Sequence, residues 1–268
     1  MRFAFRSSLV PLVAASLLAA PAAARAQIAV LSSTVEEHEA ARGETYSGRI
    51  VIANSTSVPQ PVRLYQTDYT FDAVGGNVFA DPGSTTRSNA SWVTPQSQNV
   101  VVPPRSELTV PYSVKVPARD SLRGTYWSMI MVAGAETAPT ASARGSSVGI
   151  GSVVRYGIQV ATHIGSSGRR LVKFSNPAAS HSAKGAALDI DVTSSGERAT
   201  RPTLSVEIYD AQGVQRAKGR QVRGLLYPGT SLRQHFEFGS LPPGTYKALV
   251  FADTGEDPVL AQQFTITY

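Results

Sequence analysis

Apolar and polar side chains alternate with a period of two through most of this chain. In residues 108–116 (LTVPYSVKV), Leu108, Val110, Tyr112, Val114 and Val116 fall on one parity. Thr109, Pro111, Ser113 and Lys115 fall on the other. Successive side chains of a strand point to opposite faces, so this segment buries one face and wets the other. Pro111 donates no ladder hydrogen bond, which predicts a strand at a sheet edge or beside a bulge. After the turn at Gly124, residues 125–132 (TYWSMIMV) read as a more deeply buried strand. Further strand signals fall at 47–53, 62–71, 187–192, 203–209, 232–238, 246–252 and 260–268. Turn clusters such as Asn54-Ser55-Thr56-Ser57, Gly75-Gly76-Asn77 and Asp210-Ala211-Gln212-Gly213 separate them. No helical period appears, and strands at this spacing predict an all-β protein built from sandwiches.

Two features divide the chain. Residues 165–168 (GSSG) read as a linker. The order strand, turn, Gly-Thr-Tyr, strand occurs twice, at Gly124-Thr125-Tyr126 and at Gly244-Thr245-Tyr246. The expected organisation is two immunoglobulin-like β-sandwich domains, residues 27–165 and 166–268. Residues 1–26 read as a cleaved signal peptide. They carry Arg2 and Arg6, an apolar stretch from Leu9 to Ala20, and Ala24-Arg25-Ala26 before Gln27. No later stretch is long and apolar enough to span a membrane. Residues 134–147 (GAETAPTASARGSS) have little to bury and are expected to be mobile.

Charge and composition narrow the function. Removing Arg2, Arg6 and Arg25 leaves 22 of the 25 basic residues against 19 acids, so the net charge falls from +6 to +3. The excess is scattered and argues against a nucleic-acid partner. The chain has no cysteine. Export without disulfides points to a bacterial envelope protein, periplasmic or secreted, and excludes cysteine nucleophiles and cysteine metal ligands. Gly145-Ser146-Ser147-Val148-Gly149 fits G-x-S-x-G, but no helix follows to make the sharp strand-to-helix turn that motif needs. Glu36-Glu37-His38-Glu39 lacks the spacing of a metal site and reads as a solvated face. His163, His181 and His235 are isolated. The expectation is a protein with no catalytic residues, no metal and no cofactor.

Residues 147–160 (SVGIGSVVRYGIQV) stand apart. Val148, Ile150, Ser152, Val154, Tyr156, Ile158 and Val160 share one parity, and Gly149 and Gly151 lie near the start. From Val154 onward the segment reads as the last strand of the first sandwich. Glycines weaken the part from Val148 to Ser152, and a second reading is a strand completed by a partner chain across an open edge.

With these pieces in place the chain resembles the periplasmic pilus chaperones. The resemblance rests on Ile52-Ala53-Asn54, Val101-Val102-Pro103-Pro104, Pro117, Gly124-Thr125-Tyr126-Trp127 and Arg155-Tyr156. It is also similar to two-domain cell-surface proteins thought to interact with WxL proteins, through the order of N-x-S, alternating strand, V-P, G-x-Y and a terminal Phe264-Thr265-Ile266. The chaperone resemblance implies that Val148, Ile150, Val154, Tyr156 and Ile158 donate side chains to an exported, pilin-like or surface-assembled subunit. It also implies two basic residues in the interdomain cleft that hold the subunit's terminal carboxylate. Arg155 matches the one on the last strand, whereas residues 28–35 (IAVLSSTV) supply no basic residue for the other. The alternative expectation is a structural or adhesive envelope module that binds a surface protein or polysaccharide.

Overall fold

The computed structural model describes residues 27–134, 154–182, 185–222 and 224–268. Its first half holds β1 (Ile28–Val30), β2 (Val35–Ala40), β3 (Thr45–Asn54), β4 (Gln60–Asp72), β5 (Gly76–Ala80), β6 (Val93–Pro95), β7 (Asn99–Val102), β8 (Ser106–Lys115), β9 (Gly124–Gly134) and β10 (Arg155–Ile164). These form two facing sheets. One has the order β1-β3-β8-β6; the other runs β2-β10-β9-β4-β5, with β7 also on β4. Inward-facing Ile50, Ile52, Leu64, Ile130, Ile158 and Val160 close the core between them. Each such fully buried aliphatic side chain contributes about 1.5–3 kcal/mol.

The second half holds β11 (Val172–Ser182), β12 (Gly185–Ser194), β13 (Thr203–Tyr209), β14 (Gln215–Val222), β15 (Ser231–Gly239), β16 (Thr245–Asp253) and β17 (Leu260–Thr267). Its sheets, β11-β12-β15 and β14-β13-β16-β17, enclose Leu188, Ile190, Leu204, Ile208, Phe236 and Val250. The architecture is two immunoglobulin-like β-sandwiches.

Pro111 sits where its chemistry allows. It lies opposite Arg49 of β3, and its carbonyl accepts from Gln96 N–H at 2.9 Å, so its nitrogen faces the side held only by the three-residue β6. The sheet therefore loses no β3–β8 bond to it. Strands β2, β11 and β14 carried no alternating apolar signal. The segments VEEHEA and QRAKGRQV bury almost nothing on either parity, and their places come from neighbouring strands.

The two sandwiches meet through main chain as well as side chains. Gly124 has φ 72°, and a β-carbon there would lie 2.0 Å from the Glu197 carbonyl oxygen. Only glycine permits that approach. It lets Thr125 N–H donate to the same carbonyl at 2.8 Å.

Candidate functional site: an open strand edge beside a locked domain junction

The first strand of the N-terminal sandwich is split between sheets. β1 pairs antiparallel with β3, residues 31–34 cross the sandwich edge, and β2 then pairs parallel with β10 from Gln159 to Ile164. Serine hydroxyls carry the crossing. Ser32 Oγ accepts from Val51 N–H at 3.3 Å, and Ser33 Oγ both accepts from Val35 N–H and donates to the Val35 carbonyl. Short polar side chains satisfy backbone groups that neither sheet reaches.

The split leaves part of β10 open. β9 covers one side of β10 along its whole length. On the other side Gln159 N–H donates to the Thr34 carbonyl at 2.9 Å, and among the described residues no strand lies beside 155–158. Backbone groups of a strand alternate sides, so the N–H and C=O of Arg155 and Gly157 point the same way as those of Gln159. Among the described residues they form an unpaired edge about four residues long.

The sequence-derived donor residues fall in three places. Val148 and Ile150 lie outside the described residues, as does the Gly145–Gly149 motif. Val154 is 40% exposed, and Arg155 is exposed at the start of β10. Tyr156 is half-buried against the core, and its hydroxyl donates to the Ile28 carbonyl at 2.9 Å. Ile158 corrects the expectation: it is fully buried in its own core and has no surface to offer a partner. Its parity is the core face of β10, so alternation marked burial within the chain. The carboxylate-anchoring role implied for Arg155 is corrected too. Arg155 pairs with Ala133 at one end of β10, while Ile164 at the other end adjoins the junction. At 3.3 Å per residue that places it roughly 30 Å from the cleft base.

Charge at the junction comes from Glu37, Glu39 and His163, expected from sequence to be a solvated face and an isolated histidine, together with Arg198 and Arg201. Glu37 and Glu39 of β2 face the second sandwich, where they pair with Arg201 and Arg198. His163 Nε2 lies 3.2 Å from Glu37 Oε2, and its Nδ1 lies 2.8 Å from Thr125 Oγ1. Thr125 Oγ1 also accepts from Ala199 N–H at 2.9 Å. A continuous polar chain thus crosses from one sandwich to the other. The His163 hydrogen bond, followed by Arg201 against the opposing cost of burial, holds the Glu37 carboxyl at about 2, well below its ordinary 4.5. Beside this chain, Trp127 stacks on Tyr227 with ring centroids 4.6 Å apart and planes 7° apart, over Ala161 and Ala199. Tyr227 donates to Gln159 Oε1 at 2.8 Å. The only signal in the sequence was the clustering of Glu36-Glu37-His38-Glu39, and nothing in it named Arg198 or Arg201 as partners.

No family model and no curated protein matches the chain. Among solved structures it is similar to the class 5 fimbriae chaperone CfaA, at 10% identity and a TM-score of 0.48, over 88% of this chain and 98% of that one. It is also similar to the E. coli chaperone DraB, at 11% identity and a TM-score of 0.42, over 89% and 96%. A third likeness is to the CsuC–CsuE chaperone–tip adhesion subunit pre-assembly complex from Csu pili of Acinetobacter baumannii. There the identity is 9% and the TM-score 0.42, over 78% of this chain and 90% of that one.

Proposed function

We propose that this chain is a non-enzymatic, chaperone-like protein of the bacterial periplasm that holds an exported, surface-assembled subunit by strand addition. The observation that supports the reading most directly is the edge of β10 over 155–158, bonded to β9 on one side and open on the other. A strand entering there would bond the free backbone groups of Arg155 and Gly157 and would run in line with β2, ending against the crossover at Thr34. Main-chain bonding gives affinity in such a complex, and alternate side chains give selectivity. Val154 and Arg155 are the exposed side chains at this edge. Val148 and Ile150 would extend it on the N-terminal side.

The test is Arg155→Pro, which removes an N–H facing the open side at the first residue of β10 and leaves the β9 ladder intact. Wild-type and variant proteins are used to capture subunits from periplasmic extract, with mass spectrometry of what is bound. The variant is expected to lose the wild-type partner at unchanged circular dichroism and melting temperature. Val148→Asp and Ile150→Asp are expected to do the same. Recovery of that partner at wild-type yield by all three variants refutes strand addition at this edge.

A further inference from the structure

The split of the first strand opens a second edge, on the opposite sheet. β1 leaves β3 at Leu31, whose N–H donates to the Val51 carbonyl at 2.9 Å. On the other side of β3, Glu44 accepts from Val116 N–H, next to β8, so even-numbered residues face β8 and odd-numbered residues face away. The backbone groups of Ser47 and Arg49 therefore point the same way as those of Val51. Among the described residues no strand lies beside them.

Between this edge and the crossover runs a groove of about 670 Å³, lined chiefly by Ser32, Ser33, Glu36, Ser47 and Arg49. A narrower slot continues inward between β2 and β3 as far as Tyr112. The Tyr112 ring is buried, and its hydroxyl, which forms no hydrogen bond with a described residue, is the end of the side chain that opens on the slot. Its ring lies across Gly48, where a β-carbon would come within 2.2 Å of the phenolic oxygen. The glycine is what lets the hydroxyl reach the slot. Neither Arg49 nor Glu36 forms an ion pair with a described residue.

The row of open N–H and C=O groups matches an extended polypeptide, whose own donors and acceptors repeat at strand spacing. A sugar ring would need an aromatic face to stack on, and the slot presents the hydroxyl end of Tyr112. We infer that this groove binds an extended peptide segment that adds to β3 at Ser47 and Arg49 and accepts a hydrogen bond from the Tyr112 hydroxyl. The inference does not depend on what binds at β10.

The probe is a fluorescein-labelled decapeptide with four Thr-Val repeats between terminal lysines, titrated into the mature chain. Anisotropy gives affinity, and amide shift mapping gives location. Binding is expected to move the Ser47 and Arg49 amides. Tyr112→Phe, which deletes one hydroxyl, is expected to weaken it about three- to tenfold. Ser47→Pro removes an N–H facing the groove and no β3–β8 bond, and is expected to weaken it about tenfold. Arg155→Pro leaves this binding unchanged. Shifts confined to residues 155–158, or wild-type affinity in both Tyr112→Phe and Ser47→Pro, overturn the inference. Displacement of the peptide by maltoheptaose overturns it in favour of a glycan. Should Ser47→Pro fail to fold, Tyr112→Phe decides alone.

Discussion

Glu37→Gln is the sharpest probe of the junction, because it removes a charge and keeps the shape. The carboxylate meets Arg201 through Oε1 and His163 through Oε2, and the single amide oxygen can accept from only one of them, so the change removes the charge together with one acceptor of the polar chain. Lowering the carboxyl from 4.5 to about 2 sets a ceiling of about 3 kcal/mol on its contribution at neutral pH. The Glu37 side chain is 24% exposed and that of Arg201 is 47% exposed. Solvent screening brings the expected loss to about 1–2 kcal/mol. That corresponds to a fall of roughly 2–8 °C in melting temperature for a protein of this size. The sign with pH follows from the direction of the shift. A carboxyl whose folded-state pKa is depressed stabilises the fold fully above 4.5, and the contribution fades as pH falls from 4.5 toward 2. Urea denaturation of wild type and Glu37→Gln at pH 7, 4 and 3 reads this directly. The gap between the two proteins should be widest at pH 7 and should narrow at pH 3. An equal gap at all three pH values would mean that packing, and not charge, holds Glu37 in place.

Two other substitutions bear on the fold. Gly124→Ala is expected to cost at least about 2 kcal/mol, since it combines a positive φ with collision against the Glu197 carbonyl. Gly213→Ala, also at positive φ but with nothing within 4 Å, should cost about 1–2 kcal/mol; thermal melts that fail to rank them this way contradict the contact. Ile158→Ala should lose about 2–5 kcal/mol in urea unfolding, while Val154→Ala should change stability little. If Ile158→Ala melted like wild type and lost only partner capture, the core placement of Ile158 would be wrong.

The alternating strands were legible because each buries one face. Residues 108–116, 187–192 and 203–209 all lie in strands or at their ends with the expected parity inward. What alternation does not say is whose core a face enters. Tyr156, Ile158 and Val160 carry the same pattern that a donated strand would carry, and they pack at home. The open edge itself was illegible for another reason. It exists because residues 28–40 change sheets midway, and IAVLSSTVEEHEA reads as one short apolar run followed by a solvated acidic face. Glu37 and Glu39 gain their partners only when Arg201 and Arg198 arrive from a segment some 160 residues later, and Glu39 keeps most of its side chain in solvent even then. Local pattern carries no trace of such a meeting. Tyr112 shows the converse: its parity announced burial, while the value of Gly48 opposite it appears only in register.

The stacked Trp127 and Tyr227 have a bearing on how the molecule can be handled. Severing the chain near Gly165 would leave each half with a raw, greasy scar where its neighbour had been, and with main-chain groups at Thr125 and Glu197 stripped of their mates. Fragments made for labelling or crystallisation would therefore tend to clump or to find one another again. The practical unit is the uncut pair.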